Sequence, residues 1–525
     1  MTETEPQQMK EAPSADAVMK TSTLRFRAQR YLHRRWPTIV KDPNYDADLA
    51  AWRRRDYERN AHTCPPAEES VNLCCMWAIE FYTPLHIQSL INGMSKLGWD
   101  KTTSRSSNPI PWIRDLRKSS RMSGQMNLGR IVRPETPDRF GTSLKGPLPE
   151  GVEYASGQIF SLTSSIACML ICFTLDKSLA NSFDGILRKK FETWLEPIGS
   201  GGQAIHQPDS QKENAIRDIR RSIAGSIAVW FQHNFPGVFS SIADLSDFST
   251  CELTTLRYAK PFPKEGESVD GTFGYLRTLG FHPNLHAWEL TDIPAIRFSV
   301  PDLLSKDFTF HSCITLNEAG LSDQQLKEWG GRSPSSYVAF IGNRLDKLLA
   351  HWGLTVLLAA YERRLGALRD SLELRTKSSR SSVRVLRALS DFAAQGIDIS
   401  AITTELNHYV DQKRWAFNEL GVFRSLGHAR NASHDVALSE ALRSEIKARA
   451  EWVLNTDHSM RAVFSQYAEV LGARENIKAQ QTIGRLTWVL VFLTVIIAVL
   501  TFIIAYAALK SEAGVPFFKI LKNFL

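Results

Sequence analysis

Twenty-four consecutive residues near the C-terminus, Leu486 to Leu509 (LTWVLVFLTVIIAVLTFIIAYAAL), carry no charge, no proline and no glycine. A helix of that length rises about 36 Å, more than the roughly 30 Å of a hydrocarbon core. A core helix of a water-soluble protein rarely stays apolar on every face for so long, because one face usually meets water. The run therefore reads as a transmembrane helix. Arg485 and Lys510 bracket it, and Trp488 and Tyr506 stand near its ends, where interfacial aromatics gather.

Charge bias does not orient this span. Arg474, Lys478 and Arg485 precede it; Lys510, Lys519 and Lys522 follow. The N-terminal stretch MTETEPQQMKEAPSADAV is polar and lacks the apolar stretch of a secretory signal. The expectation is a single pass with the large N-terminal region cytoplasmic. The last residues, 510–525, mix Phe517, Phe518, Ile520 and Leu521 with lysines, as a short amphipathic tail at a membrane surface does.

The remainder is long enough for roughly two to four structural units. With 43% hydrophobic and 22% charged residues it belongs with globular chains, not disordered ones. Residues 1–69 are polar and then basic, and are expected to be partly disordered. Within them Arg25, Arg27, Arg30, Arg34, Arg35, Arg53, Arg54 and Arg55 contribute to a net charge of +8. Such a cluster is either a solvated segment or a contact for anionic lipid headgroups, and no specific nucleic-acid motif accompanies it. Seven cysteines form no C-x-x-C pair, which fits buried thiols in a reducing compartment better than a disulfide framework or a zinc site.

Periodicity from 70 to 330 mixes strands and helices, an α/β or α+β domain. Leu73–Tyr82 reads as a strand, followed by a helix with Thr83 as N-cap, Pro84 at its first position and Gly98 at its end. Residues 100–150, rich in Ser, Pro, Gly and basic side chains, read as a long loop with short ordered pieces. Ile159–Leu175, about 17 apolar residues interrupted by Thr163, Ser164 and Ser165, fits two buried strands and a tight turn better than a second span. A helix over 177–195, another over 210–233, and strands over 252–258, 287–300 and 308–316 complete this part. Pro294 within 287–300 marks an edge or a bulge.

From 334 to 430 the period is helical, with a stripe of Val338, Ile341, Leu345, Leu348, Trp352, Val356 and Ala359, then shorter helices over 383–394 and about 398–421. A stalk helix, 435–485, is expected to run into the span at 486–509. Met460, Phe464, Tyr467 and Leu471, spaced 4-3-4, form its seam, either within the chain or between chains of a homo-oligomer.

Catalytic, cofactor-binding and metal-ligating residues are not assigned. His428 and His434 (HARNASH, with Arg430 between) do not share a helical face, and His282 and His286 are separated by a turn-forming Pro-Asn. Gly199, Gly201 and Gly202 lack the following lysine of a phosphate loop. No nucleophile elbow, zinc-protease or kinase signature occurs.

The expected function is a membrane-anchored module with a cytoplasmic sensing or interaction domain, non-enzymatic and capable of oligomerising. The order of parts over about 70–509 resembles the layout of CorA-type magnesium channels, and that resemblance implies an oligomeric ion channel or transporter. The chain departs from it where Tyr506 is followed by AALKSEAGVP, with neither the Gly-Met-Asn signature nor a second span. A third reading is a membrane-tethered enzyme acting on an anionic substrate such as a nucleotide or lipid, gripped by the basic 100–140 loop.

Overall fold

The fold is that of a computed structural model, which describes residues 24–36, 44–100, 108–118, 124–137, 143–198, 202–241, 248–262, 274–281, 286–300, 311–378, 399–412, 417–418, 420, 422–426 and 437–511. Twelve strands follow in order: β1 (Val71–Tyr82), β2 (Gly124–Val132), β3 (Ser143–Lys145), β4 (Val152–Ser161), β5 (Ala167–Leu175), β6 (Trp194–Ile198), β7 (Gly202–His206), β8 (Thr250–Leu256), β9 (His286–Leu290), β10 (Ile296–Val300), β11 (His311–Asn317) and β12 (Phe423–Ser425). The helices are α1 (Leu24–Arg35), α2 (Tyr45–Arg53), α3 (Asp56–His62), α4 (Ile87–Leu97), α5 (Pro109–Lys118), α6 (Lys177–Ala180), α7 (Ser182–Arg188), α8 (Pro208–Asn234), α9 (Gly274–Thr278), α10 (Asp323–Lys327), α11 (Pro334–Ser378) and α12 (Leu438–Ser511). A further helical stretch covers 399–412.

Ten strands make one mixed sheet in the order β12-β9-β10-β11-β8-β1-β5-β4-β2-β3, and β6 and β7 form a separate hairpin. Among the described strands, only β8 with β11 and β2 with β3 run parallel. The central strand β1 is apolar almost throughout because it is covered on both faces. On one face Phe173 of β5 meets Trp230 and Phe231 of α8, ring centroids 5.4 and 6.2 Å apart. On the other, Phe298 of β10 meets Trp352 of α11 at 6.3 Å. A Cβ on Gly353 of α11 would lie 2.6 Å from Ile79, so a glycine is what lets this helix approach the strand.

The chain divides into two compact units, Met1–Ala360 with Glu405–Ala450, and Tyr361–Thr404 with Glu451–Leu525. The first holds the sheet. In it Leu438, Leu442, Ile446 and Ala450 of α12 are buried at helical spacing. The second holds the remainder of α12, where Val453, Asp457, Met460 and Leu471 are buried. The architecture is thus a mixed α/β sheet domain followed by helices, the last of which is long and apolar enough to cross a membrane.

Several local expectations change. The segment 100–150 carries α5, β2 and β3, and β2 pairs along β4 from Gly124 to Val132. Its polar, glycine-containing sequence hid a strand with one covered face. The helix expected over 177–195 is two short helices, α6 capped by Asp176, followed by β6. The strand expected over 287–300 is two antiparallel strands, with Pro294 in the turn between them. Thr83 does not cap α4. It closes a turn whose carbonyl accepts from His86 and Ile87, and His86 precedes the helix. β12 adds a strand inside the segment read as helical. Within the segment 1–69, residues 45–62 carry α2 and α3, and Asp56 of α3 accepts from the Thr193 backbone N–H at 2.7 Å and from its hydroxyl at 2.5 Å. The expected stalk does run into the apolar run: both lie on one continuous helix, α12, with no break that sets the stalk apart. The expected helix at 383–394 and the residues beyond 511 lie outside the described residues.

Candidate functional site

A cleft of about 200 Å³ opens between the sheet face and the first turns of α11. Strand alternation builds its floor: Trp77 of β1, Tyr154, Ser156 and Gln158 of β4, and Arg130 of β2 all stand on the face that α11 covers. Val338, Ala339, Gly342 and Asn343 of α11 form the opposite wall. At Gly342 an added Cβ would meet only Trp77, at 3.9 Å, so the missing side chain keeps the cleft open.

Two polar groups in the cleft are incompletely satisfied. The Gln158 side-chain oxygen is buried and accepts no hydrogen bond. The Arg130 guanidinium lies 4.1 Å from the centre of the Tyr154 ring, a cation–π stack, and no carboxylate pairs with it among the described residues. Burial raises the Tyr154 phenol above its ordinary value, so the ring stays neutral beneath the cation.

Elsewhere in this unit each buried carboxylate is enclosed by donors. Glu252 of β8 takes two hydrogen bonds from Arg220 of α8, both 2.7 Å, and meets His311 Nε2 at 3.0 Å. Burial alone would raise its pKa, yet the Arg220 and His311 contacts outweigh burial and hold it well below the ordinary carboxylate range. His311 Nδ1 in turn meets Thr250 Oγ1 at 2.9 Å. Hydroxyl, imidazole and carboxylate thus stand in the order of a nucleophile, its base and an orienting acid. Thr250 and His311 are buried and line neither the cleft under α11 nor the small one beside α5. The network fixes charge in the core and presents no nucleophile.

Glu80 of β1 accepts from the backbone N–H of Phe81, Phe239 and Ser240 at 2.8–2.9 Å, and burial pushes its pKa up to about 7. Glu69 accepts from the N–H groups of Ser70, Arg257, Tyr258 and Ala259. At the β4–β5 turn the donors point outward to one carboxylate: Thr163 and Ser165 hydroxyls each reach Glu405 at 2.6 Å, with the Ser165 N–H at 3.2 Å. The interruption TSS in the apolar run is therefore a turn that holds an acid. Among the described residues no three His, Cys, Asp or Glu side chains converge as a metal site.

The residues singled out for the membrane all fall on α12. Leu486, Trp488 and Tyr506 are exposed, Trp488 by 76%. Arg485 and Lys510 flank them within the helix, and Leu509 precedes Lys510. Three threonines in the apolar run turn their hydroxyls inward: Thr487, Thr494 and Thr501 each donate to the carbonyl four residues earlier, at 2.7–2.9 Å. Of the expected seam, Met460 and Leu471 are buried, while Tyr467 is 39% exposed. His286 opens β9, whereas His282, Gly199, Gly201, His428, Arg430 and His434 lie outside the described residues; Gly202 opens β7, in a hairpin preceded by a strand.

Sequence reasoning missed Arg130, Tyr154, Gln158 and Trp77. Each sits in an alternating strand, and that alternation was the available signal for a shared face, but β2 was not read as a strand. Fold and cleft together define a mixed-sheet domain with a small polar–aromatic cleft, followed by a helix long and apolar enough to cross a membrane. No protein-family model matches the chain, and no similar curated protein was found.

Proposed function

We propose that this chain is a single-pass membrane-anchored protein whose sheet domain is a cytoplasmic sensing or interaction module. The observation that supports it best is α12 itself. One uninterrupted helix, roughly 110 Å long at 1.5 Å per residue, begins with side chains buried in the sheet unit and ends in the uncharged run. Among the described residues, no side chain in the most apolar stretch of that helix is buried. In water this exposure is unfavourable, whereas each central Leu, Ile, Phe or Val favours a bilayer. The back-bonded threonines leave no threonine hydroxyl for lipid to solvate.

α1 supports a second, weaker contact. Arg27, Arg30 and Arg35 are exposed beside Tyr31, Leu32 and Trp36, a composition suited to anionic headgroups. The exposed stripe Val463, Tyr467 and Val470 on α12 suits self-association in the second unit. Protease added to sealed, right-side-out vesicles tests the topology. Protection of the sheet domain is expected, and its complete digestion would place that domain on the outside.

A further inference from the structure

We propose that the cleft under α11 binds a nucleoside monophosphate. The inference rests on reading the sheet domain as a binding module, and it adds the ligand's chemistry. Three observations converge. An enclosed apolar cavity of about 150 Å³ accepts a benzene ring. A cleft of about 200 Å³ therefore admits one heteroaromatic ring system with the rest of the molecule at its mouth. The Gln158 oxygen, buried without a donor, calls for a ligand N–H, since an unpaired buried acceptor is unfavourable. Arg130, fixed by its stack on Tyr154 and free of any carboxylate among the described residues, calls for an anion, which a guanidinium binds through paired N–H donors.

A hydrocarbon would satisfy the volume alone, and inorganic phosphate would satisfy Arg130 alone. A nucleobase with an amide or amine N–H, carrying a phosphate, satisfies all three. Trp77 lines the floor, and Gly342 leaves the space beside it for the ring. Asn127 and Asn343 stand at the rim, where amides read the edge of a base.

The test uses the full chain in detergent micelles, titrated with AMP, GMP, CMP and UMP while tryptophan emission is followed, because Trp77 and Trp329 line the cleft. At least one nucleotide is expected to give a saturable change below about 1 mM. Arg130→Ala is expected to weaken it about tenfold or more while leaving the parent nucleoside unaffected. Gly342→Leu is expected to abolish both, with an unchanged melting temperature showing that the fold persists. Arg130 is exposed, so its variant keeps the test valid if Gly342→Leu fails to fold. No saturable change with any of the four overturns the proposal, as does binding that both variants leave intact. Vesicle attachment through α12 is measured separately and is independent of either result.

Discussion

The sheet unit and the last third of α12 solve opposite problems. In the sheet unit ionisable groups lie inside: Glu80 and Glu252 are buried and held by the donors named above, and buried Lys212 of α8 donates to the Leu187 carbonyl at 2.6 Å and the Thr63 hydroxyl at 2.9 Å. In α12 beyond Arg485 the apolar side chains lie outside, and the polar groups fold back on their own backbone. Each arrangement is stable in only one surrounding. Paired charges are tolerated in a core sealed from water, and a bare apolar helix is tolerated in one sealed from water by lipid. On the proposed membrane reading, the two regions suit two different solvents.

The largest effect is expected where the second solvent is removed. Replacing Val495 and Ile496 together by Arg puts two charges at the middle of the run, each opposing insertion by about 2.5–3.5 kcal/mol. Fractionation of cells expressing the variant should then find it away from the membrane pellet. A variant that still pellets with membranes as wild type does would break the contrast.

Within the sheet unit, Arg220→Met leaves Glu252 buried without its main partner and is expected to destabilise by about 3–5 kcal/mol. Thermal unfolding of the solubilised full chain, followed by intrinsic fluorescence, reads this directly. Adding Glu252→Leu to that variant is expected to recover part of the loss, since the unpaired charge goes with it. Equal melting temperatures for wild type and Arg220→Met would mean that the network carries no stability.

Glu80 sharpens the comparison through pH. Its folded pKa is raised by burial from 4.5 to about 7, so between those values the folded chain holds a proton that the unfolded chain releases. Stability is therefore expected to fall as pH rises through that window, by about 3 kcal/mol in all, and Glu80→Gln should flatten the slope. Glu252 has the opposite sign. Its depressed pKa contributes stability above the ordinary carboxylate range, and that contribution is lost on acidification. A melting temperature independent of pH between 5 and 7 in wild type would contradict the account of Glu80.

The smallest effect concerns the β4–β5 turn. Glu405→Ala removes the acceptor shared by Thr163 and Ser165, and, because the site is partly open to water, a loss of about 1–2 kcal/mol is expected. Hydrogen exchange at Ser165 and Ile166 should quicken. Unchanged protection there would show that the turn is held without the acid.

Much of this contrast is legible in the sequence. The uncharged run from Leu486, the doubly buried β1 and the stripe on α11 are long periodic signals that tertiary context leaves intact. The interruption at Thr163–Ser165 likewise separates β4 from β5, although its acid partner, 240 residues distant, leaves no local trace. β2 is hidden because polar Gln125, Asn127 and Arg130 occupy its cleft-side face and two glycines weaken its strand character. The cleft is hidden for the same reason. Its residues come from β1, β2, β4 and α11, and only the register of the sheet brings them to one face.

The central claim, that α12 carries this chain across a bilayer, is tested most directly by extracting membranes from expressing cells with alkaline carbonate. Retention of the full chain in the pellet, with release of a variant lacking 486–511, is the predicted result. Release of the full chain into the supernatant would contradict it.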